Sequence, residues 1–573
     1  MADESGVQPL QFSCEGGLVL NRSAFTLEPG MALELTNFES DINGGYRRIN
    51  GFEKWNTSLV PYSNLSSEAV LMAASYGLTE IIAARGESVY RSTNQTSLLN
   101  GAINNSVTTI TVSATSGFTA TGTLLIGTEQ ITYTGINVTQ FTGCSRAANN
   151  TTAAAHSNSA VVTQTWTSID SGRSNAKKFS FRRYNFTGTD KLIWADGANR
   201  ASFYNGTSVT DISHSSAPSA PSIVEVFQSH VFLSGQASSP NEVFFSAPYL
   251  ETDFSAAAGA GSISIDDTVV ALKTFRDQLY IFGREKIFKL LGNTVADFQL
   301  QPVTRDLGCS SKHSVQELGG DIVFLAPDGL RTIAGTDKIG DVELGTISKP
   351  VQTKFDDIKT FDKIESVVVP SKTQYRIFFV NDTDSTTFTT GIIASLTQNG
   401  FVFSELKGIR PSCTDYDNER QPQTVVHGGF DGYVYLQESG NTFDGVTING
   451  KYRSPDLTMG DAGIRKDMQR IIINYAPEAA VNASLSLKYD YDSPTSTSPA
   501  PYVLNAGDVL ALYATGSSVY GGGGTYGGQR TPLVRQPVEG SGFAVAVAVD
   551  DTAASAPYSL KGFQLEFGVG ARR

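Results

Sequence analysis

Charged residues are scarce in this chain, because Asp, Glu, Lys and Arg make up 17% of its 573 residues. An average soluble domain carries about 25%. Apolar residues reach 40% and aromatic residues 10%, which is enough for a large buried core. A disordered chain is excluded, since disorder requires high charge and few aromatic residues. Ser, Thr, Asn and Gly take the place of the charges, which is typical of β-rich proteins with many turns and large contacts between subunits.

Cysteine and histidine are too few and too scattered for a metal centre. The chain has no Cys-x-x-Cys pair, no Cys/His cluster, and no two histidines at ligand spacing. Single cysteines also argue against a disulfide framework and indicate assembly in a reducing compartment. We therefore predict no metal and no cofactor. The cysteines are Cys14, Cys144, Cys309 and Cys413, and the histidines are His156, His214, His230, His313 and His427.

Long apolar runs and a basic face are also missing. No run of roughly 18 apolar residues occurs, so we expect no membrane span. The start Met1-Ala2-Asp3-Glu4-Ser5 lacks the basic and apolar parts of a signal peptide. The net charge is −13, whereas proteins that grip DNA phosphates usually carry a basic face. We interpret the short basic spots as solvated or interface charges. These spots are Lys177-Lys178 with Arg182-Arg183, and the final Arg572-Arg573.

Catalytic signatures are missing as well. No Gly-x-Ser-x-Gly elbow is present, and no Gly-Lys-Ser/Thr follows the glycine run at 521–524. Asp490 and Asp492 alternate with tyrosines on a predicted strand and would share a face. Such a pair could act as acid and base in a glycosidase, but the same alternation is typical of a half-exposed strand. We predict that the protein is not an enzyme.

Short apolar runs bounded by turn residues recur along the chain, and seven of them resemble one another. Three contain an Asp-Gly pair, which suits a type I′ hairpin because both central residues there need positive φ. A β unit repeated every 40 to 50 residues or so predicts an all-β fold with a β-propeller core of six or seven divergent blades. Stacked β-sandwiches are the alternative. The units are Ala69–Tyr90, Phe181–Tyr204, Ile223–Phe245, Val269–Leu291, Ser314–Ile333, Val367–Val380 and Val425–Leu436.

Two stretches depart from this repeat. A Thr/Ser-rich stretch from Asn100 to Gln164 predicts a small inserted β module. The last 120 or so residues predict a C-terminal antiparallel β-sandwich interrupted by a glycine-rich loop. The predicted division is 1–50 N-terminal segment, 51–99 first part of the propeller, 100–164 insert, 165–450 remainder of the propeller, and 451–573 C-terminal sandwich at a distal tip.

The opening of the chain carries most of the one family resemblance that the sequence shows. Cys14-Glu15-Gly16-Gly17-Leu18-Val19 is followed by Pro29-Gly30, then Asn37-Phe38-Glu39, then Gly44-Gly45-Tyr46-Arg47-Arg48-Ile49. This run resembles the start of tail proteins of short-tailed bacteriophages (podoviruses), most closely the nozzle or tail-tube protein. The inserted module and the aromatic-to-Arg-Arg ending add to the resemblance.

The resemblance implies a structural virion protein. Nozzle proteins form a ring, expected to be a homo-hexamer, that extends the DNA channel below portal and adaptor and contacts tail fibres, spikes or a tip protein. Assembly would take place in the host cytoplasm, and double-stranded DNA would pass through the lumen without specific binding. The candidate assembly contact is Gly44, Gly45, Tyr46, Arg47 and Arg48. The candidate distal gate loop, which would retain the genome before ejection, is Gly521, Gly522, Gly523, Gly524, Tyr526, Gly527 and Gly528.

Charge suggests how such a ring would work. A basic lumen would hold DNA phosphates, so an acidic or neutral lumen favours sliding, and part of the −13 charge is expected to line it.

Two other functions stay open. The chain could be a tail protein that binds host-surface polysaccharide through aromatic faces, drawn from its 22 Tyr and 32 Phe, or a capsid decoration protein.

Overall fold

Short strands joined by turns make up nearly all of the regular structure. The structure is a computed structural model and describes residues 7–23, 26–62, 68–174, 177–334, 345–356, 358, 361–380, 389–420, 423–478, 481–493, 498–505 and 533–572. Within these residues, α-helix is limited to α1, Gln352–Asp356, and to residues 333–334. Single 3-10 turns occur at Ala256–Ala258, Lys312–Ser314, Lys349–Val351, Phe361–Lys363, Pro370–Lys372 and Asp490–Asp492. The all-β prediction is confirmed.

Each of the seven repeated units forms one antiparallel blade, numbered here in chain order. Blade 1 contains Val70–Tyr76, Glu80–Arg85, Ser88–Ser92 and Thr167–Ser171. Blade 2 contains Ser180–Tyr184, Lys191–Ala195, Ser202–Tyr204 and Val209–Asp211. Blade 3 contains Ile223–Phe227, His230–Gln236, Ser239–Phe245 and Gly261–Ser264. Blade 4 contains Val269–Phe275, Gln278–Gly283, Ile287–Leu291 and Gln299–Thr304. Blade 5 contains Gln316–Leu318, Asp321–Ala326 and Gly329–Thr332.

The last blade, unlike blade 6, is completed by a strand from the start of the chain. Blade 6 contains Glu365–Val369, Gln374–Val380, Thr389–Thr397 and Gly400–Lys407. Blade 7 contains Pro411–Asp417, Thr424–Gly429 and Val434–Gln437, with Phe52–Lys54 as its fourth strand and the short Thr442–Phe443 and Val446–Thr447 beyond it. The pairing of Phe52–Lys54 with Val434–Gln437 is antiparallel. An early strand therefore closes the last blade of the ring.

Apolar clusters between successive blades hold the ring together. Trp194 packs between blades 1 and 2 in a cluster with Met72 and Ile82. Trp166 packs between blades 7 and 1 in a cluster with Val426. Similar clusters lie at the other blade contacts. The described residues thus form a closed ring of seven blades, which settles the number that the sequence left at six or seven.

The tight hairpins do not lie where the Asp-Gly pairs predict them. At Asp196-Gly197, Asp328-Gly329 and Asp431-Gly432 only the glycine has positive φ, so the type I′ prediction is wrong there. Two-residue turns with both residues at positive φ instead follow the first strands of blades 3, 4 and 5. A short link between twisted strands requires this geometry whatever residues occupy it. These turns are Gln228-Ser229, Arg276-Asp277 and Gly319-Gly320.

Beyond the propeller, the N-terminal and C-terminal parts of the chain build one sandwich. Its first sheet, called here the terminal sheet, contains Val7–Ser13, Phe38–Ser40, Tyr46–Arg48, Ile464–Pro477, Leu533–Pro537, Ser541–Gly542 and Tyr558–Arg572. Its second sheet contains Glu34–Thr36, Gly450–Arg453, Asn482–Tyr489, Tyr502–Asn505 and Val545–Asp551. This second sheet continues into blade 6, because Thr36 pairs in parallel with Glu405. A nine-stranded shared sheet therefore joins propeller and sandwich.

The inserted module leaves blade 1 between its third and fourth strands. One sheet contains Thr96–Leu98, Gly122–Ile126, Glu129–Tyr133, Ser145–Ala148 and Val161–Gln164, and the other contains Ile110–Thr111, Gly135–Asn137 and Gln140–Thr142. The two sheets enclose a core of their own, which includes Leu124, Ile131 and Phe141. The predicted five-part division of the chain stays a prediction. The strands before residue 50 nevertheless belong to the sandwich sheets.

Candidate assembly interface

The residues that carry the family resemblance form a hairpin on the terminal sheet. Its strands pair Phe38 with Arg48 and Ser40 with Tyr46. The turn between them is set by the Asp41 carboxylate, which accepts a hydrogen bond of 2.9 Å from the backbone NH of Asn43. Gly45 has φ +90°, and a Cβ there would collide with the carbonyl oxygen of Leu560. The second glycine of the motif is therefore required by close packing against the C-terminal strand.

Tyr46 joins the separate parts of the motif to one another. Its ring is completely buried. Its hydroxyl donates a 2.6 Å hydrogen bond to the carbonyl of Gly30 and accepts one of 2.8 Å from the NH of Gly17. Burial raises the pKa of Tyr46 well above its usual value, so the hydroxyl stays protonated. The Gly-Gly, Pro-Gly and Gly-Gly-Tyr segments thus meet around one side chain.

Arg48 is also fully buried and faces Asp551, with 3.0 Å between Nε and Oδ2. Its terminal nitrogens donate to the carbonyls of Ser555, Ile448 and Ala553. Burial lowers the pKa of Arg48 and raises the pKa of Asp551, since each charge has lost its water. The Arg48 guanidinium therefore ties its own strand to the segments around Ile448 and Asp551 inside the sandwich.

A buried ion-pair network ties this hairpin to the propeller. Arg376 of blade 6 donates to Glu39 at 3.3 Å and to Glu438 at 2.6 Å. Lys372 reaches the same two carboxylates at 2.7 and 2.6 Å. Arg47 adds a third cation to Glu39 at 3.1 Å. Burial raises the pKa of Glu438, but Arg376 and Lys372 outweigh it and hold the pKa well below its usual value. The network, defined as these five residues, connects the sandwich to blade 6 and to the end of blade 7.

The predicted assembly contact is therefore only partly available at the surface. Tyr46 and Arg48 are interior residues with partners in their own chain, and the assembly contact at Gly44, Gly45, Tyr46, Arg47 and Arg48 stays a prediction. Gly44 is exposed at the hairpin tip, next to Ile42, whose side chain is 73% exposed. A groove of about 1110 Å³ runs beside this tip, between the hairpin and blade 6.

Two other sequence predictions have different outcomes. The candidate gate loop, Gly521 to Gly528, lies outside the described residues. Asp490 and Asp492 do not share a strand face, because the strand ends at Tyr489 and both aspartates have left-handed φ in the following turn. The Asp490 carboxylate accepts the backbone NH of Phe543 at 2.7 Å, while Asp492 lies 3.6 Å from Lys488. The turn directs the two carboxylates to separate partners, so the prediction that they share a strand face is wrong.

No spacing in the sequence indicates the ion-pair network. Glu39, Arg376 and Glu438 are 337 and 62 residues apart, and only the closed fold brings them together.

Among the described residues, no group of three or more His, Cys, Asp or Glu side chains is arranged to hold a metal ion. No helix in the described part of the chain is long and apolar enough to cross a bilayer.

The insert contains a buried acid that the sequence does not reveal. Glu129 is fully buried and accepts two 2.7 Å hydrogen bonds from Arg146. It also accepts the backbone NH of Ala154 at 3.0 Å and lies 2.8 Å from His156 Nε2. Burial would raise the pKa of Glu129, but these hydrogen bonds, led by Arg146, lower it to about 2. The carboxylate holds the Thr/Ser-rich loops of the module in place.

Acid should therefore loosen the insert. A carboxylate whose pKa is depressed on folding stabilises the fold above its unfolded pKa of about 4.5 and loses that contribution as pH falls towards about 2. The loss corresponds to roughly 3 kcal/mol. Hydrogen exchange of Glu129–Tyr133, corrected for intrinsic rates, should accelerate between pH 5 and 3 more in wild type than in Glu129→Gln. Equal acceleration in both proteins would contradict this role.

Comparisons with known proteins add little. No family model and no curated protein matches the chain. Among solved structures, the computationally designed Ika8 protein is 11% identical, with a TM-score of 0.29 over 60% of this chain and 97% of Ika8. Hsv2p of Kluyveromyces lactis is 9% identical, with a TM-score of 0.25 over 59% of this chain and 97% of its own. BBS1N, solved in complex with ARL6DN, is 9% identical, with a TM-score of 0.25 over 45% and 90%. Likenesses this distant carry no information on function.

Proposed function

We propose that this chain is a structural protein of a short phage tail and that its copies form the ring-shaped nozzle below portal and adaptor. The observation that carries the proposal is the run from Cys14 to Ile49, which resembles the opening of nozzle proteins. In this proposal the ring is a homo-hexamer in the virion tail. It binds the adaptor on one side and fibres, a spike or a tip protein elsewhere.

The way the resembling segment is used in the fold supports a role as a rigid structural wall. Strands Glu34–Thr36 and Phe38–Ser40 of this segment enter opposite sheets of the sandwich, and Phe52–Lys54, which follows the segment directly, closes the propeller. The shared sheet and the buried ion-pair network then join these parts. Close-packed interiors deform little and transmit strain. A channel wall around DNA under pressure must resist deformation in the same way.

The acidic charge suits passage of DNA through the ring. With a net charge of −13, a lumen lined by part of these carboxylates would repel phosphates and let DNA slide. A ring whose lumen is lined throughout by Lys and Arg would contradict this part of the proposal. The candidate gate loop, 521–528, completes the proposal as the element that retains the genome before ejection.

The exposed hairpin tip provides a test of assembly. We expect Ile42→Asp to block ring formation, because Ile42 is 73% exposed at the tip and full burial of an isoleucine side chain contributes about 1.5–3 kcal/mol. Mass photometry and negative-stain microscopy of the full chain would measure the fraction in rings. Val138→Asp is the matched control, because Val138 is 84% exposed on the insert. Rings of normal size and yield from Ile42→Asp would refute a contact at this tip.

The location in the virion tests the whole proposal. An antibody raised against the C-terminal sandwich should label the distal end of stubby tails in electron micrographs of intact virions. Label over the capsid would instead support a decoration protein. Label on the fibres would support a polysaccharide-binding protein, which glycan-binding assays would then examine.

A further inference from the structure

The inserted module, residues 93–165, has no exposed charged side chain. The structure describes every residue of it, and its Asp, Glu, Lys, Arg and His residues are limited to Glu129, Arg146 and His156. These three contact one another, and their side chains are 0%, 8% and 10% exposed. At the 17% of charged residues found in the whole chain, a stretch of this length would carry about twelve. The surface of the insert is therefore neutral.

One face of the five-stranded sheet of the insert points away from the core of the module. Leu124, Ile131 and Val162 lie in that core, so the residues that alternate with them along the strands lie on the opposite face. Direct cross-strand partners on this face form a row of Thr96, Thr163, Leu125 and Gln130, and Leu98 pairs with Val161 beside it. These six residues are called here the outer face.

The outer face exposes apolar surface. Leu98 is 45% exposed, Val161 is 54% exposed, and Leu125 is half-buried on the next strand. Isolated exposed apolar residues are common on protein surfaces, whereas Leu98 and Val161 are direct neighbours. The cores of protein interfaces are depleted of charged residues in the same way as this face. The outer face therefore has the composition of an interface.

The charge distribution of the chain indicates which partner fits this face. Glu129 and Arg146 cancel each other, so the whole net charge of −13 lies outside the insert. Two copies of the chain therefore repel each other, but a copy that approaches the outer face meets no exposed carboxylate. A neutral face also has no field that would attract a basic protein or a polyanion. A second copy of this chain is thus the partner that the missing charge favours.

A sugar chain fits the outer face less well. Stacking on a sugar ring requires an exposed aromatic side chain. The Phe, Tyr and Trp residues of the insert are Phe118, Tyr133 and Phe141, and all three are buried. The polysaccharide-binding alternative would therefore need another surface of the molecule.

We propose that the outer face of the insert packs against a second copy of this chain. Burial of Leu98, Leu125 and Val161 would stabilise the contact, and the polar residues of the face would form hydrogen bonds around them. The paired apolar side chains and the missing charge are both properties of the insert, so the inference does not depend on the proposed tail function. The hairpin tip at Ile42 belongs to the sandwich and is a different surface.

Sedimentation equilibrium of the full-length protein tests this contact, because it counts associated copies whether or not they form rings. We expect reversible association of the wild type. Val161→Glu should weaken it about ten- to hundredfold, because the new carboxylate would be buried without a partner. Val161→Thr keeps the branched shape and the neutrality of the side chain, so it should weaken association less.

Val138→Glu is the matched control inside the insert. Val138 is 84% exposed, but it lies at the turn between Gly135–Asn137 and Gln140–Thr142 of the other sheet, so its substitution should leave association unchanged. Repeating the comparison in the Ile42→Asp background removes the contact proposed at the hairpin tip. Failure of that contact is then not mistaken for failure of the outer face.

The dependence on salt gives a second readout. Salt screens the repulsion between two copies of net charge −13, so association through a neutral face should stay equal or strengthen between about 0.02 and 0.5 M NaCl. A contact made by ion pairs would weaken instead, and that result would contradict the proposal.

Two further results would overturn the contact. One is a wild type that stays monomeric up to about 100 µM. The other is equal association of Val161→Glu and the wild type. Circular dichroism verifies that each variant folds. If Val161→Glu does not fold, Leu98→Glu replaces it, and unchanged association in that variant would equally count against the proposal.

Discussion

Arg48→Met should destabilise the protein by about 3–5 kcal/mol, the range measured when one partner of a buried ion pair is removed. The substitution keeps most of the side-chain volume but leaves Asp551 buried with no cation. Both residues have no exposed side-chain surface, so water does not reach the orphaned carboxylate. The carbonyls of Ser555, Ile448 and Ala553 lose their donors at the same time. Urea unfolding followed by circular dichroism would measure the loss.

The double variant Arg48→Met/Asp551→Leu separates charge from packing. Because burial shifts both pKa values towards the neutral forms, the pair costs more in lost hydration than an apolar pair would. Apolar replacement of buried pairs is often neutral or stabilising. We therefore expect the double variant to recover much of the lost stability. Arg470→Met, at a 49% exposed arginine on the same sheet, should change stability by under about 0.5 kcal/mol. A single variant as stable as this control would show that the Arg48 pair is dispensable.

Arg376→Met should cost a similar amount, about 3–5 kcal/mol, and should also loosen the junction between propeller and sandwich. Glu39 and Glu438 would keep Lys372 but lose the guanidinium that lies between them. Glu438 would then have Lys372 as its one cation, shared with Glu39, which also keeps Arg47, and carboxylates with less compensation repel each other. Calorimetry would report the overall loss. Hydrogen exchange would report faster opening of Phe38–Ser40 and Gln374–Val380 than of the blade 3 strands.

Two further variants sharpen this test. Arg376→Lys keeps the charge but not the planar fork that reaches both carboxylates, so its loss should be intermediate. Lys407→Met is the matched control on blade 6, since Lys407 is 56% exposed and pairs with Glu405 at 3.1 Å. Uniformly faster exchange across all blades in Arg376→Met would mean that the network stabilises the fold as a whole and does not specifically join its two parts.

The sequence alone predicted the repeated architecture. Alternating strands of period two and turn residues at regular intervals are local properties, and each of the seven predicted units, from Ala69–Tyr90 to Val425–Leu436, became a blade. The insert between Asn100 and Gln164 also formed its own core for the same reason. The scarce charge and high apolar content indicated an ordered, β-rich protein without any knowledge of which strands pair.

Tertiary structure decided which distant residues meet and which turns are strained. Gln228-Ser229 and Arg276-Asp277 adopt positive φ because the twist of two packed strands imposes it, although neither pair contains glycine. Asp490 and Asp492 left the predicted strand face because the edge of the sandwich ends at Tyr489. Residues 38–54 hold the two parts of the molecule together, yet nothing in their spacing points to Arg376, Glu438 or Asp551. Which distant strands and side chains pair depends on complementary burial across the whole chain, and a local sequence pattern does not specify it.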